Sequence, residues 1–179
     1  MDVFEKAKNT MYEMLCDRGY DIDKADICDV FVINNTTLVY FVQEPKLGIT
    51  SVKQLEALLC EEGVHHAIVV YSSTVTSFAK VAVEEIVSNG NNIEMFSLDE
   101  LLFNVTRHHL VPKHTLMPKV FKDELVASLR CKDKNLPIIF SNDPVAKYYG
   151  ARPGDLFRID RKDECAPCVP YYRLVTKRA

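Results

Sequence analysis

Leu136-Pro-Ile-Ile139, Asp143-Pro-Val-Ala-Lys-Tyr-Tyr-Gly150, Pro153-Gly-Asp-Leu-Phe-Arg-Ile159 and Tyr171-Tyr-Arg-Leu-Val175 decide how this chain folds. Residues 137–140 form a short apolar strand. Asp143 is a good N-cap and Pro144 suits a first helical turn, so a short helix begins there and ends at Gly150. Pro153-Gly154 makes a tight turn, and the apolar runs near 156–159 and 171–175 read as two further strands. Strand, helix, turn and two strands fit into about forty residues. The block holds none of the groups a catalytic site needs.

Around it, 179 residues suit one or two modest domains, and a 47 % hydrophobic content supports a real core. No apolar run approaches the roughly 20 residues that cross a bilayer. Met1-Asp-Val-Phe-Glu-Lys6 lacks the basic-then-apolar order of a signal peptide. The expectation is a soluble intracellular chain without a membrane partner. Six cysteines (Cys16, Cys28, Cys60, Cys131, Cys165, Cys168) are scattered apart from the last two, which favours reduced thiols. Cys165-Ala-Pro-Cys168 has metal or redox spacing, but a zinc site needs a second pair and no Cys or His follows. Ordinary loop thiols are expected there.

The formal charge of −3 hides an asymmetry. Residues 1–107 carry 8 Lys/Arg against 17 Asp/Glu, a net of −9, whereas residues 108–179 carry 14 against 8, a net of +6. The acidic half does not hold nucleic acid tightly by itself, and the basic half suits nucleic acid or an acidic protein surface.

Helices and strands alternate through the first half. Phe4, Ala7, Met11, Met14 and Leu15 lie at helical spacing, with Gly19 as a stop. Residues 30–33 and 38–42 read as a hairpin around Asn34-Asn-Thr-Thr37. Ser51 is the expected N-cap of a helix to Cys60, 67–71 a buried strand, and 74–77 a polar loop. A helix over 78–87, a strand over 93–96 and a Ser97/Glu100 capping box before a helix near 98–102 complete an α/β N-terminal domain. The charge flips near Arg107, and Pro112 and Pro118 interrupt the chain, so the boundary is placed between 1–107 and 108–179. A helix near 119–131 and the opening block make the second domain a small α+β unit.

Leu15-Cys-Asp-Arg-Gly-Tyr20, Glu44-Pro-Lys-Leu-Gly-Ile49, Ala67-Ile-Val-Val70 and Glu100-Leu-Leu-Phe-Asn-Val-Thr-Arg-His-His-Leu-Val-Pro-Lys-His114, followed by the 143–150 block, occur in a telling order. In that order they resemble the common subunit shared by the eukaryotic nuclear RNA polymerases, which has a shorter homologue in the archaeal RNA polymerase. The archaeal homologue has only the C-terminal part, so two domains look eukaryotic or derived from eukaryotes. The region between Tyr20 and Asp29 is shorter than in cellular eukaryotic members. The loop over 163–168 also departs from the family's Ser/Thr/Gly-containing one. Such compactness suits a large DNA virus with its own polymerase, or a reduced eukaryote.

The resemblance implies an N-terminal jaw related in fold to restriction endonucleases but inactive, and a C-terminal assembly domain. It implies a non-catalytic polymerase subunit without a cofactor of its own. Its expected partners are the largest subunit and the small clamp-holding subunit, with weak, sequence-independent contact to downstream duplex DNA. The location follows origin: nucleus if cellular, virion or host cytoplasmic replication site if viral. His114, Asp143, Pro144, Val145, Ala146, Lys147, Tyr148, Tyr149, Gly150 and Arg173 are the expected subunit-interface residues, and Tyr171 and Tyr172 further aromatic anchors.

Thr76-Ser-Phe-Ala-Lys80 stands where the family has Thr-Pro-Ser-Ala-Lys near DNA, which makes Thr76, Ser77 and Lys80 the expected DNA contacts. Two other readings compete. One is a free-standing nucleic-acid-binding adaptor. The other is a metal-dependent nuclease, because Asp29 followed by Glu44-Pro-Lys46 mimics carboxylates for Mg²⁺ and a water-orienting Lys. The histidines make a poor metal site. His65-His66 would point apart on a strand, and His108, His109 and His114 lack a carboxylate or Cys at ligand spacing.

Overall fold

The apolar run near residue 68 becomes an inner strand of a four-stranded sheet in the computed structural model, which describes residues 3–161 and 170–177. The chain divides into two compact units, Met1–Phe103 and Asn104–Ala179, slightly before the point where the charge changes sign.

In the first unit, β1 (Val30–Ile33) and β2 (Thr37–Phe41) pair antiparallel, and β2, β4 (His66–Tyr71) and β6 (Asn92–Ser97) run parallel in the order β1-β2-β4-β6. Asn34 and Asn35 sit at φ 51° and 53°, and the Thr36 N–H donates to the Ile33 carbonyl at 2.9 Å. This is the double left-handed turn that Asn tolerates and a right-twisted hairpin demands. Ala67, Ile68, Val69 and Val70 are all buried because β4 is covered on both faces. On one face α2 (Ile49–Glu62) and α3 (Ser77–Ser88) pack Val52, Leu55, Leu59, Ala79, Val83 and Ile86 against Leu38, Ala67 and Val69. Alternation turns Val39, Phe41, Ile68, Val70 and Phe96 to the other face. There α1 (Val3–Asp17) brings its buried stripe Ala7, Met11, Met14 and Leu15, with Lys8 over the Phe41 ring.

Two details differ from the sequence expectations. Helix α2 starts at Ile49 with Gly48 at its cap, so Ser51 lies inside the helix; its buried hydroxyl donates to Glu44 Oε2 at 2.7 Å. Ser51 resembles a cap because Ser favours caps generally, but here a tertiary acceptor claims it. Residues 74–77 are not a plain loop either. β5 (Thr74–Val75) pairs parallel with β3 (Lys46–Leu47), and α3 begins at Ser77. The Ser97/Glu100 capping box is present, but it opens a 3₁₀ turn, Leu98–Leu101.

The second unit is a four-stranded sheet in the order β7-β9-β10-β8, made of β7 (Lys113–Met117), β8 (Ile138–Phe140), β9 (Leu156–Asp160) and β10 (Pro170–Thr176). β9 is antiparallel to β7 and β10, and β8 is parallel to β10. Helix α5 (Pro144–Tyr148) serves one face, where Ala146 packs with Ile139, Phe157, Ile159 and Val175. Helix α4 (Lys119–Ser128) serves the other, where Phe121, Leu125 and Val126 cover Leu136, Leu156 and Leu174. Helix α4 stops short of the expected residue 131. β7 was not foreseen: it occupies the gap between Pro112 and Pro118, and only the ladder with β9 makes it a strand.

Candidate functional site

The opening block builds its own frame from local bonds. Asp143 Oδ1 accepts from the Val145 N–H at 2.9 Å, Pro144 occupies the first helical turn, and the Asp143 carbonyl accepts from Lys147 N–H at 2.9 Å. Gly150 closes the helix at φ 62°, a left-handed position where any side chain is strained. Val145, Ala146 and Tyr148 face inward and form core. The Tyr148 hydroxyl accepts from Asn104 Nδ2 at 2.9 Å, while Asn104 Oδ1 accepts from both donors of Thr106. Tyr149 lies edge-on to Tyr148 and against Phe157.

His114 completes the cluster from β7. Its Nδ1–H donates to the Pro112 carbonyl at 2.7 Å, and its ring meets Phe157 edge-on at 5.8 Å. Burial lowers the His114 pKa; the Pro112 bond and the Asp143 charge oppose this, and Arg173 and Arg161 reinforce it, leaving the pKa below the ordinary histidine value. The structure thus gathers His114, Asp143, Arg173 and the α5 residues at one place. Tyr171 is exposed under the Arg161 guanidinium at 4.7 Å, and Tyr172 packs on Phe121 of α4.

In the first unit, Thr76 caps α3. Its hydroxyl accepts from Ala79 N–H at 3.2 Å and donates to the Leu47 carbonyl at 3.3 Å. Ser77 and Lys80 are exposed. The β3–β5 pairing sets the starts of α2 and α3 next to one another, with Gly48 offering no side-chain cap and no acidic residue in either first turn. Two positive helix ends therefore share one edge. Sequence reading expected both helices, the first with its cap at Ser51, but did not bring their starts together, since a two-residue strand leaves no periodic signal. It also overlooked Phe78, 78 % exposed beside Ser77.

The nuclease-like residues are individually engaged. Asp29 pairs with Lys8 Nζ at 2.8 Å, Glu44 accepts from Ser51, and Lys46 lies on the small β3–β5 sheet, outside the one that carries β1 and β2. His65 bonds Asn91, and His108 and His109 stack at 4.6 Å. Among the described residues no group of three His, Cys, Asp or Glu side chains could hold a metal ion. None of their helices is long and apolar enough to cross a membrane. Cys16, Cys28, Cys60 and Cys131 are free thiols, while Cys165 and Cys168 lie outside the described residues.

One polar chain had no sequence signal at all. On the α1 face, Arg18 grips Glu94 with two bonds of 3.2 and 2.7 Å, His66 Nε2 meets Glu94 Oε1 at 2.9 Å, His66 Nδ1 meets Thr37 Oγ1 at 3.0 Å, and Thr37 meets the Tyr20 hydroxyl at 3.1 Å. Burial alone raises the Glu94 pKa. The hydrogen bond from His66, with the charge and bonds of Arg18, outweighs it and holds the carboxyl below its ordinary value. The chain ties the end of α1 to β2, β4 and β6.

A sequence profile of the family "RNA polymerase Rpb5, C-terminal domain" matches residues 103–175. The chain is 39 % identical over 137 residues to DNA-directed RNA polymerases I, II, and III subunit rpabc1 of Dictyostelium discoideum, covering 76 % of this chain and 70 % of that protein. It is 36 % identical over 137 residues to the RPABC1 subunit of Caenorhabditis elegans, covering 76 % of this chain and 64 % of that one. It is 31 % identical over 195 aligned positions to DNA-directed RNA polymerase subunit 5-like protein 1 of Arabidopsis thaliana, covering 93 % and 91 %. The chain belongs to the Rpb5 family of DNA-directed RNA polymerase subunits.

Proposed function

We propose that the chain acts in transcription as a non-catalytic subunit of a multisubunit DNA-directed RNA polymerase. The observation that carries this reading is the similarity to the Arabidopsis polymerase subunit along nearly the whole of both chains. Residues 108–179 serve as the assembly domain, docking on the largest subunit beside the small clamp-holding subunit. Residues 1–107 serve as the jaw, an inactive relative of restriction-type nucleases facing downstream duplex. The engagement of Asp29 by Lys8 and of Glu44 by Ser51 supports a structural use of those carboxylates. In a cellular setting the chain works in the nucleus, and in a viral one in the virion or the host cytoplasmic replication site.

At the docking site Val145, Ala146 and Tyr148 set the shape from inside, while Lys147, Tyr149, Gly150 and Arg173 remain partly accessible to a partner. At the jaw Thr76, Ser77 and Lys80 lie where two helix starts meet, which favours a phosphate backbone over base edges. Affinity purification of the full chain from its native source tests the assignment. Recovery of the largest polymerase subunits is expected, and a chain that runs alone refutes it. Within recovered polymerase, Lys80→Glu should weaken the hold on downstream duplex equally for all sequences and reduce the salt slope by about one.

A further inference from the structure

Among the described residues β8 is an edge of its sheet, and its open side is unusually well furnished. In a parallel ladder, alternate residues of a strand bond to the same neighbour. Leu174 N–H donates to the Pro137 carbonyl at 2.8 Å and Ser141 N–H to the Thr176 carbonyl at 2.8 Å, so 137, 139 and 141 address β10. Ile138 and Phe140 therefore turn their backbone groups outward. The Phe140 carbonyl is taken by Asp143 N–H, which leaves the Ile138 N–H, the Ile138 carbonyl and the Phe140 N–H along the open edge.

The same two residues are 49 % and 41 % exposed, while Ile139 between them is buried in the core. Natural edges are usually guarded by a charged side chain on the strand, or by a proline whose missing N–H faces the open side. Neither guard operates here, because Pro137 faces β10. On the neighbouring strand, Thr176 Oγ1, at the register position opposite Phe140, is buried without a hydrogen-bond partner. Exposed lysines frame the strand: Lys132 and Lys134 before it, and Lys177 beyond the end of β10. The nearest acids in sequence on either side are engaged: Asp143 Oδ1 accepts from the Val145 N–H at 2.9 Å, and Asp133 is held by Lys122 at 2.8 Å.

We infer that the β8 edge is completed in the polymerase by an extended segment of another subunit, apolar at alternate positions and acidic at its flanks, which adds a fifth strand to this sheet. Backbone pairing to the three open groups supplies the grip, Ile138 and Phe140 supply the register, and the lysines select an acidic partner over a neutral one. This rests on the reading of residues 108–179 as the assembly domain, and it adds a strand edge adjoining the 143–150 site.

Hydrogen exchange followed by mass spectrometry, on the free full chain and on the chain within purified polymerase, tests it. The Ile138 and Phe140 amides should exchange readily in the free chain and slow by about tenfold or more in the complex. Ile138→Lys and Phe140→Lys should leave thermal unfolding of the free chain unchanged and lower recovery of polymerase several-fold. Val120→Lys, on exposed α4 surface, should lower neither. Unslowed amides in a chain that does co-purify overturn the fifth strand and leave the subunit reading intact. Protection that appears in the free chain as its concentration rises, with a doubled mass, assigns the edge to a second copy and also overturns the inference. A chain that recovers no polymerase overturns both.

Discussion

Glu94→Ala should unfasten the first unit more than any surface change of similar size. Arg18 is 7 % and Glu94 20 % exposed, and the two share two bonds. An exposed ion pair contributes about 0–1 kcal/mol, whereas removing one partner of a buried pair costs about 3–5 kcal/mol because the other charge stays desolvated. The remaining exposure of Glu94 places the expected loss near 3 kcal/mol, on the order of 10–20 °C in melting temperature for a unit of this size. Glu94→Gln keeps an acceptor and should lose about half as much. Arg18→Met combined with Glu94→Met removes both charges and should recover most of the loss. The assay is hydrogen exchange of β4 and β6 amides under mild denaturant, which isolates the first unit even when the whole chain is not two-state. A Glu94→Ala loss below about 0.5 kcal/mol, or a double variant as weak as the sum of its singles, would refute the reasoning. The pH sign follows from the lowered Glu94 pKa. Its contribution is complete above the ordinary value of 4.5 and is lost as pH falls through the depressed folded value, so acid unfolding of the wild type should be steeper than that of the double variant.

The His114 pKa is lowered, so the folded unit prefers the neutral ring. Second-unit stability should be full above the ordinary value of 6.5 and fall as pH drops below it, and His114→Phe should flatten that slope in pH-dependent melts. Asp143→Ala removes the cap of α5 and should cost about 1 kcal/mol, with reduced polymerase recovery, while Asp143→Asn retains most of both. Gly150→Ala forces a side chain into a left-handed position and should cost about 1 kcal/mol by denaturant titration. Phe157→Ala empties the centre of the second core and should cost about 3–5 kcal/mol, more than any single docking residue on the surface.

Signals that act over a few residues were legible. Asp143, Pro144 and Gly150 bound a helix by contacts two to five positions apart, and they announce it in any context. The Asn34-Asn35 turn and the Ser97/Glu100 box read equally well. Lys113-His-Thr-Leu-Met117 did not, because a half-polar pentapeptide between prolines becomes a strand only against Leu156–Asp160. Ser51 misled for the converse reason, since its acceptor, Glu44, came from outside the helix.

By itself the sequence determined the alternation of elements, the buried middle of the first sheet, the split in charge and membership of a polymerase-subunit family. Each of these is written in neighbouring residues or in motif order. Tertiary structure alone decided that Glu94 meets Arg18 across 76 positions, that the starts of α2 and α3 share an edge, and that Ile138 and Phe140 stay exposed while Ile139 is buried. Those outcomes depend on which strand lies beside which. That is settled by the burial of whole faces, and no local run of residues carries it.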